Sequence, residues 1–267
     1  MHARQIAALA RSRRTRVRGP DAWLSVADAE RAARRRLPRP VFDFVSGGAD
    51  EEITLRANAE SRSDWALRPR VLSGATTPRL DRSILGEHHS VPFVLGPTGF
   101  TGVVHPEGEL AVARAAQATG VTYTVSGAAS NTDLRELVNV SPGSLWFNYY
   151  PLADERRGHA LVDRARDHGC QVLVVTVDVP VAGHRERDIR SGFSIPPQVT
   201  GRTIWHGLRR PAWSAAFLRG PQLRTPNLGE VDVLANSSEF PKLFASDLDW
   251  SVVDRLRDRW PGKLVVK

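Results

Sequence analysis

A single cysteine, Cys170, stands in 267 residues, so neither an internal disulfide framework nor a cysteine-built metal site can form within the chain. A lone thiol fits a cytoplasmic location. No apolar run approaches the roughly 18 residues that a membrane-spanning helix needs. The first 18 residues, rich in arginine and alanine, lack the apolar core of a secretory signal. Residues 1–23 therefore read as a disordered basic tail, with a transit peptide as the other reading. The histidines show no metal-ligand spacing, and no metal is expected. Zinc-finger and RNP-like patterns are missing as well. Hydrophobic residues at 41% and charged residues at 25% are ordinary for a globular protein.

The net charge is +8. Its arginines lie in the tail (Arg11, Arg13, Arg14, Arg16, Arg18), at Arg34, Arg35 and Arg36, and between Arg202 and Arg224. They follow no nucleic-acid-binding module, so a nucleic-acid partner is not expected. Anionic lipid is the more natural counterpart.

Three helices are expected before the first strand. One starts at Ser25, where Asp28 completes a capping-box pattern and Leu24 could staple it, and stops before Pro38. The second covers 40–45 and stops at Ser46, Gly47 and Gly48. The third covers 51–60. Residues 68–72 read as extended. Then a rhythm begins. Apolar runs at 92–96, 122–126, 145–149 and 171–177 alternate with helical stretches at 107–119, near Asn131, and at 154–168. About 70 residues rich in proline, glycine, tryptophan and arginine interrupt it at 180–246. A helix at 249–260 and a fifth run at 263–267 resume it. Continuous apolar strands alternating with helices indicate buried parallel strands, as in an α/β barrel or an open doubly wound sheet. A long interruption of this kind is expected to be a functional lid or an insertion.

Parallel α/β folds collect functional groups at the carboxyl ends of their strands. Those ends here hold Pro97, Thr98 and Gly99; Ser126 and Ala128; Asn148 and Tyr150; Thr176 and Asp178; and Lys267. Hydroxyls, an amide, a phenol and an ammonium at five successive ends suit a planar hydrogen-bonding ring, although any one of them alone is an ordinary loop residue.

Longer motifs narrow the reading. FDFVSGGADEEITL at 42–55 and RPR at 68–70 resemble the N-terminal signature of the FMN-dependent (S)-2-hydroxy-acid dehydrogenases and oxidases. LGPTG at 95–99, HPEGE at 105–109 and AVARA at 111–115 resemble that family's first barrel strand and helix. TVDVP at 176–180, GHRERDI at 183–189 and FSIPP at 193–197 resemble its fourth strand and following loop, and LVVK at 264–267 its fifth. The resemblance covers about residues 24–267. It implies a (β/α)8 barrel of the FMN-linked type, present as N-terminal helices plus strands one to five, with a lid at about 190–246.

The same resemblance implies FMN as cofactor. Pro97, Thr98 and Gly99 would contact the flavin. Ser126, Asn148 and Thr176 would bond its edge, with Asn148 in place of the usual glutamine. Lys267 would stand beside N1 and the C2 carbonyl, where a cation favours the reduced, anionic ring. Tyr150 would bond the substrate hydroxyl, Asp178 would orient the catalytic histidine, and Arg185 would help bind the substrate region; a solvated charge is its plainer reading. Phe44 replaces a tyrosine whose hydroxyl holds the substrate carboxylate. Ala128 replaces the bulky aromatic of short-chain oxidases and opens the pocket to lactate- or mandelate-like acids.

The implied function is oxidation of such an acid to the 2-oxo acid, with a quinone or oxygen as acceptor, in a homo-oligomer when full length. The family's general-base histidine, its carboxylate-binding arginine and its phosphate-binding strands follow the fifth strand and have no counterpart here. The chain is therefore expected to be cut off after strand five and inactive alone, with a non-catalytic remnant or a half-protein needing a separate C-terminal half as the alternative. His88, His89, His105 and His184 are poorly placed to replace the missing base. Within 200–229, Trp205, Leu208, Trp213, Phe217 and Leu218 alternate with Arg202, Arg209, Arg210, Arg219 and Arg224. That mixture suits attachment to a membrane surface, which would place the protein peripherally on the inner face; a soluble lid is the other reading.

Overall fold

The computed structural model describes residues 23–74, 76–179, 181–194, 198–228 and 241–267. The tail at 1–22 and the parts of the expected lid at 195–197 and 229–240 lie outside the described residues.

Helix α1 (Val26–Arg36) begins as its sequence requires. Ser25 and Asp28 cap it reciprocally. The expected hydrophobic staple does not form, because Leu24 is 94% exposed. Helices α2 (Arg39–Ser46) and α3 (Ile53–Glu60) follow. The turn between them needs glycine: a Cβ on Gly47 would lie 2.6 Å from the Asp43 carbonyl oxygen. Residues 68–72, expected to be extended, form no strand and turn at Leu72 with φ +55°.

A hairpin of β1 (Arg82–Ile84) and β2 (Glu87–His89) was not anticipated. Leu85 and Gly86 both take positive φ, the two-residue turn that matches the twist of paired strands. Its sequence lacks the Asn-Gly or Asp-Gly signal, and its strands are too short to show alternation. The apolar run at 92–96 also differs from expectation. Only Leu95 pairs, in parallel with Tyr123.

Beyond it come α4 (Thr101–Val104), α5 (Gly108–Thr119), β3 (Tyr123–Ser126), α6 (Leu134–Val140), β4 (Leu145–Tyr149), α7 (Glu155–Asp167) and β5 (Val172–Val175). Aspartates 133 and 154 cap α6 and α7 through their side chains. The long interruption is itself partly helical, with α8 (Glu186–Ser191), α9 (Gly201–Leu208) and α10 (Pro211–Arg219). Arginine, tryptophan and glycine in these short helices masked their period. Helix α11 (Trp250–Arg259), capped by Asp249, leads to β6 (Lys263–Val266).

The strands run in the order β3-β4-β5-β6, all parallel. One face carries Tyr123, Val125, Phe147, Tyr149, Leu173 and Val175, packed in the main core with Leu134, Leu161, Leu256 and Trp260 from the helices. The other face carries Trp146, Val172, Val174 and Val265, covered near the strands' amino ends by Ile84 of the hairpin and Val94. Strands buried on both faces explain the near-continuous apolar runs. On its outer edge β6 is less covered, with Val266 42% exposed. No helix among the described residues is long and apolar enough to cross a membrane.

Candidate active site

The face that is apolar at the amino ends of the strands becomes polar at their carboxyl ends. Side chains alternate along a strand, so Ser126 pairs in register with Asn148, and Asn148 with Val174. Thr176 and Lys267 continue the same face two residues beyond Val174 and Val265. Ser126, Asn148 and Thr176 are all buried. Asn148 Nδ2 donates to the Val174 carbonyl at 3.0 Å and to Thr176 Oγ1 at 2.7 Å. A carbonyl partner requires the NH2 group there, which fixes the amide's orientation. Asn148 Oδ1 is then left buried with no hydrogen-bond partner among the described residues. A buried acceptor without a donor costs about 1–3 kcal/mol. Lys267 Nζ stands 3.4 Å from both carboxylate oxygens of Asp178, both side chains being partly open to solvent.

A second group forms around Phe44. Its ring stacks on Phe193 at 4.3 Å between centroids and meets Phe100 edge-on at 6.4 Å. Arg185 lies over the Phe44 ring at 5.3 Å, donates to the Phe44 carbonyl and reaches Asp188 Oδ2 at 2.5 Å. It is tied locally on three sides. Arg187 pairs with Glu52, whose carboxyl is held below its ordinary range first by the Gly48 N–H and then by that guanidinium. Asp50 N donates to the His184 carbonyl at 2.8 Å. The motifs at 42–55 and 183–189 are thus one packed unit.

Loops join this unit to the strand ends. Phe100 N donates to the Ala129 carbonyl at 2.7 Å, and a Cβ on Gly99 would fall 2.6 Å from the Ala129 Cβ, so only glycine fits there. Ala128 is buried, Pro97 is half-buried and Thr98 is exposed. The Tyr150 ring packs against Phe244 at 5.2 Å, away from the pairings above. The sequence reading missed Glu109. Its carboxylate is fully buried and accepts from Asn131 N at 3.2 Å and Thr132 Oγ1 at 3.1 Å, which pins the loop after β3. The signal was available: Glu109 shares a helical stripe with the buried Ala113 and Ala116.

The histidines lie elsewhere. His89 is buried beneath the sheet, 3.3 Å from Thr122 Oγ1 and edge-on to Trp146. His105 caps the end of α4. Among the described residues no group of His, Cys, Asp and Glu could hold a metal ion.

A flavin fits the donor set on one observation in particular. The pyrimidine edge of the ring offers an N–H, which the buried, unsatisfied Asn148 Oδ1 lacks.

Fold and site together define a parallel α/β protein with its polar groups at the carboxyl ends of the strands. Residues 33–267 match the FMN-dependent dehydrogenase family, and the chain belongs to it. It is similar to (S)-mandelate dehydrogenase of Pseudomonas putida, 33% identical over 246 residues, which are 91% of this chain and 62% of that protein. It is similar to L-lactate dehydrogenase of Caulobacter vibrioides, 36% identical over 251 residues, 91% of this chain and 64% of that one. Among solved structures, that of the monotopic membrane protein (S)-mandelate dehydrogenase matches with a TM-score of 0.85 at 31% identity, over 91% of this chain and 66% of that one. The β3–β6 sheet is therefore part of a barrel of this type, and the open doubly wound alternative falls. The chain spans 62% and 64% of the lengths of the two curated relatives named here.

Proposed function

We propose that this chain serves the FMN-dependent oxidation of an (S)-2-hydroxy acid of lactate or mandelate type to the 2-oxo acid. The observation that supports it is the row of Ser126, Asn148, Thr176 and Lys267 on one face of the sheet, with one buried acceptor unsatisfied. FMN, when bound, supplies the two-electron acceptor. Ser126, Asn148 and Thr176 would hold the ring's edge, and Pro97, Thr98 and Gly99 the adjoining face. Lys267 would place a positive charge where the ring gains negative charge, with Asp178 steadying that ammonium. Tyr150 would bond the substrate hydroxyl. Arg185 would act on the substrate region through Phe44 rather than by direct reach, since its guanidinium is already engaged. Ala128 would leave room for a bulky side chain. Electrons would then pass to a quinone, with oxygen as the alternative acceptor.

The exposed face of α9 and α10 supports peripheral attachment to an anionic membrane. Ile204, Trp205, Leu208 and Leu218 are exposed there beside Arg202, Arg209 and Arg219. The same segment is also anchored inward, because Trp213 Nε1 donates to the Val103 carbonyl at 3.0 Å. Of its large apolar residues, Trp213 and Phe217 are thereby turned away from lipid.

One experiment tests this reading of the activity. The purified chain is assayed with FMN, a dye acceptor and mandelate, lactate or glycolate, alone and co-expressed with the C-terminal portion of a relative. Turnover only after co-expression, with mandelate or lactate ahead of glycolate, is the expected result. No turnover in either arm would overturn the proposed activity.

A further inference from the structure

A cavity of about 560 Å3 lies between α1, α4 and α10, and none of the strand-end residues lines it. That volume is within the ordinary range for a small-molecule site, roughly 300–1,000 Å3. Its walls are apolar. Ala29, Ala32 and Ala33 of α1 form one side, spaced so that their methyl groups share a face of the helix. Val104 closes a second side, and Trp213 and Phe217, stacked at 4.9 Å, form a third. The indole N–H of Trp213 is already spent on the Val103 carbonyl, so that wall offers no polar handle.

The charge at this site is all of one sign. Arg35 and Arg36 at the end of α1, and Arg209 at the start of the turn into α10, line it, and no acidic residue does. Among the described residues none of the three has an acidic partner, and Arg35, Arg36 and Arg209 are exposed. Arg210 differs, because Leu37 and Arg34 carbonyls hold its guanidinium.

We propose that this cavity binds one long-chain fatty acid, with the tail between α1 and the Trp213–Phe217 pair and the carboxylate on Arg35, Arg36 and Arg209. A concave apolar space with a cationic rim selects a molecule that is apolar along its length and anionic at one end. A hydrophilic anion would leave the walls unfilled. A flat membrane surface would meet the exposed side of α9 and α10 instead. The site is independent of the flavin reading, and each stands or falls alone.

The test is titration of the full chain with the fluorescent fatty acid cis-parinaric acid, and with the corresponding uncharged alcohol. Saturable binding at one molecule per chain is expected. The double variant Arg35→Glu/Arg36→Glu, at exposed positions, should weaken it at least tenfold, as should removal of the ligand's charge. Ala29→Phe should weaken it by filling the space, with the circular dichroism melting curve checking that the variant folds. Equal binding of the alcohol, or unchanged binding by the charge-reversed chain, would overturn the proposal. So would a result in which the chain sediments with phosphatidylglycerol vesicles but takes up no free parinarate, which would make the arginines part of a membrane-facing surface.

Discussion

The ammonium of Lys267 is equidistant, at 3.4 Å, from the two carboxylate oxygens of Asp178, and the two residues stand just past the ends of the neighbouring strands β6 and β5. The contact is long for a charge-assisted hydrogen bond. Its partners are 39% and 59% exposed. An ion pair of this kind contributes at most about 1 kcal/mol to folding. Holding the sheet together is therefore a poor account of it, and placing a positive charge at the mouth of the polar face is a better one.

Lys267→Met should accordingly leave the urea-unfolding midpoint almost unchanged while weakening FMN binding, followed by quenching of flavin fluorescence. Where flavin still binds, its midpoint potential should fall, because a cation stabilises the reduced, anionic ring more than the oxidised one. A large loss of stability with unchanged flavin affinity would assign Lys267 to the fold.

Asn148 should behave in the opposite way. It is fully buried and bridges β4 to β5 through Val174 and Thr176. Asn148→Ala removes both bonds, at about 0.5–1.5 kcal/mol each, and should destabilise the chain by about 1–3 kcal/mol. Added FMN should raise the melting temperature of the parent chain and not of the variant. A parent that FMN does not stabilise would mean that Oδ1 is not meeting the ring.

Alkaline pH should unfold this protein early. Burial pushes the Cys170 thiol from its ordinary 9.0 up to about 12. It likewise pushes the Tyr149 phenol from 10.0 up to about 12. Both groups keep their protons in the folded chain at pH values where the unfolded chain loses them. Their contribution is whole below pH 9 and is lost as the pH rises towards 12, at about 1.4 kcal/mol per pH unit for each proton. Cys170→Ala should remove the part of the decline between pH 9 and 10, below the phenol's range. Chemical denaturation at a series of pH values gives the slope directly, and an unchanged slope in the variant would contradict the assignment.

The parts of the fold that could be read from sequence are those whose signal is local. The Ser25–Asp28 cap, the helices beginning near Asp154 and Asp249 and the apolar runs of β3 to β6 all announce themselves within a few residues. The parts that could not be read depend on distant partners. Leu95 reads as one residue of a strand, yet its neighbours do not pair. Trp213 and Phe217 read as membrane-facing, yet the two rings stack on each other and the Trp213 indole donates to the Val103 carbonyl of α4. At the candidate site the strand-end residues were legible because a parallel sheet always exposes that edge. The engagement of Arg185 with Phe44 was not, since 141 positions separate the two in the chain.

Phe44 offers the most direct test of the substrate side. Its ring lies between Phe193, Phe100 and the Arg185 guanidinium, beside the loop that carries Ala128 and Ala129. A phenylalanine there donates no hydrogen bond. If the substrate carboxylate lies against this ring, Phe44→Tyr adds a donor to a charged acceptor. Such a bond is worth about 1.5–3 kcal/mol, or roughly a ten- to hundredfold gain in affinity. The gain should appear as a lower KM for mandelate with little change in kcat, because the carboxylate is bound equally before and during oxidation. The assay uses whichever assembly turns substrate over, the chain alone or the co-expressed pair. A phenol buried without a partner would instead cost stability, so unfolding is measured beside KM. A lower KM at unchanged stability places the carboxylate at residue 44. An unchanged KM with a less stable chain would make the aromatic group around Phe44 a purely structural joint between the motifs at 42–55 and 183–189.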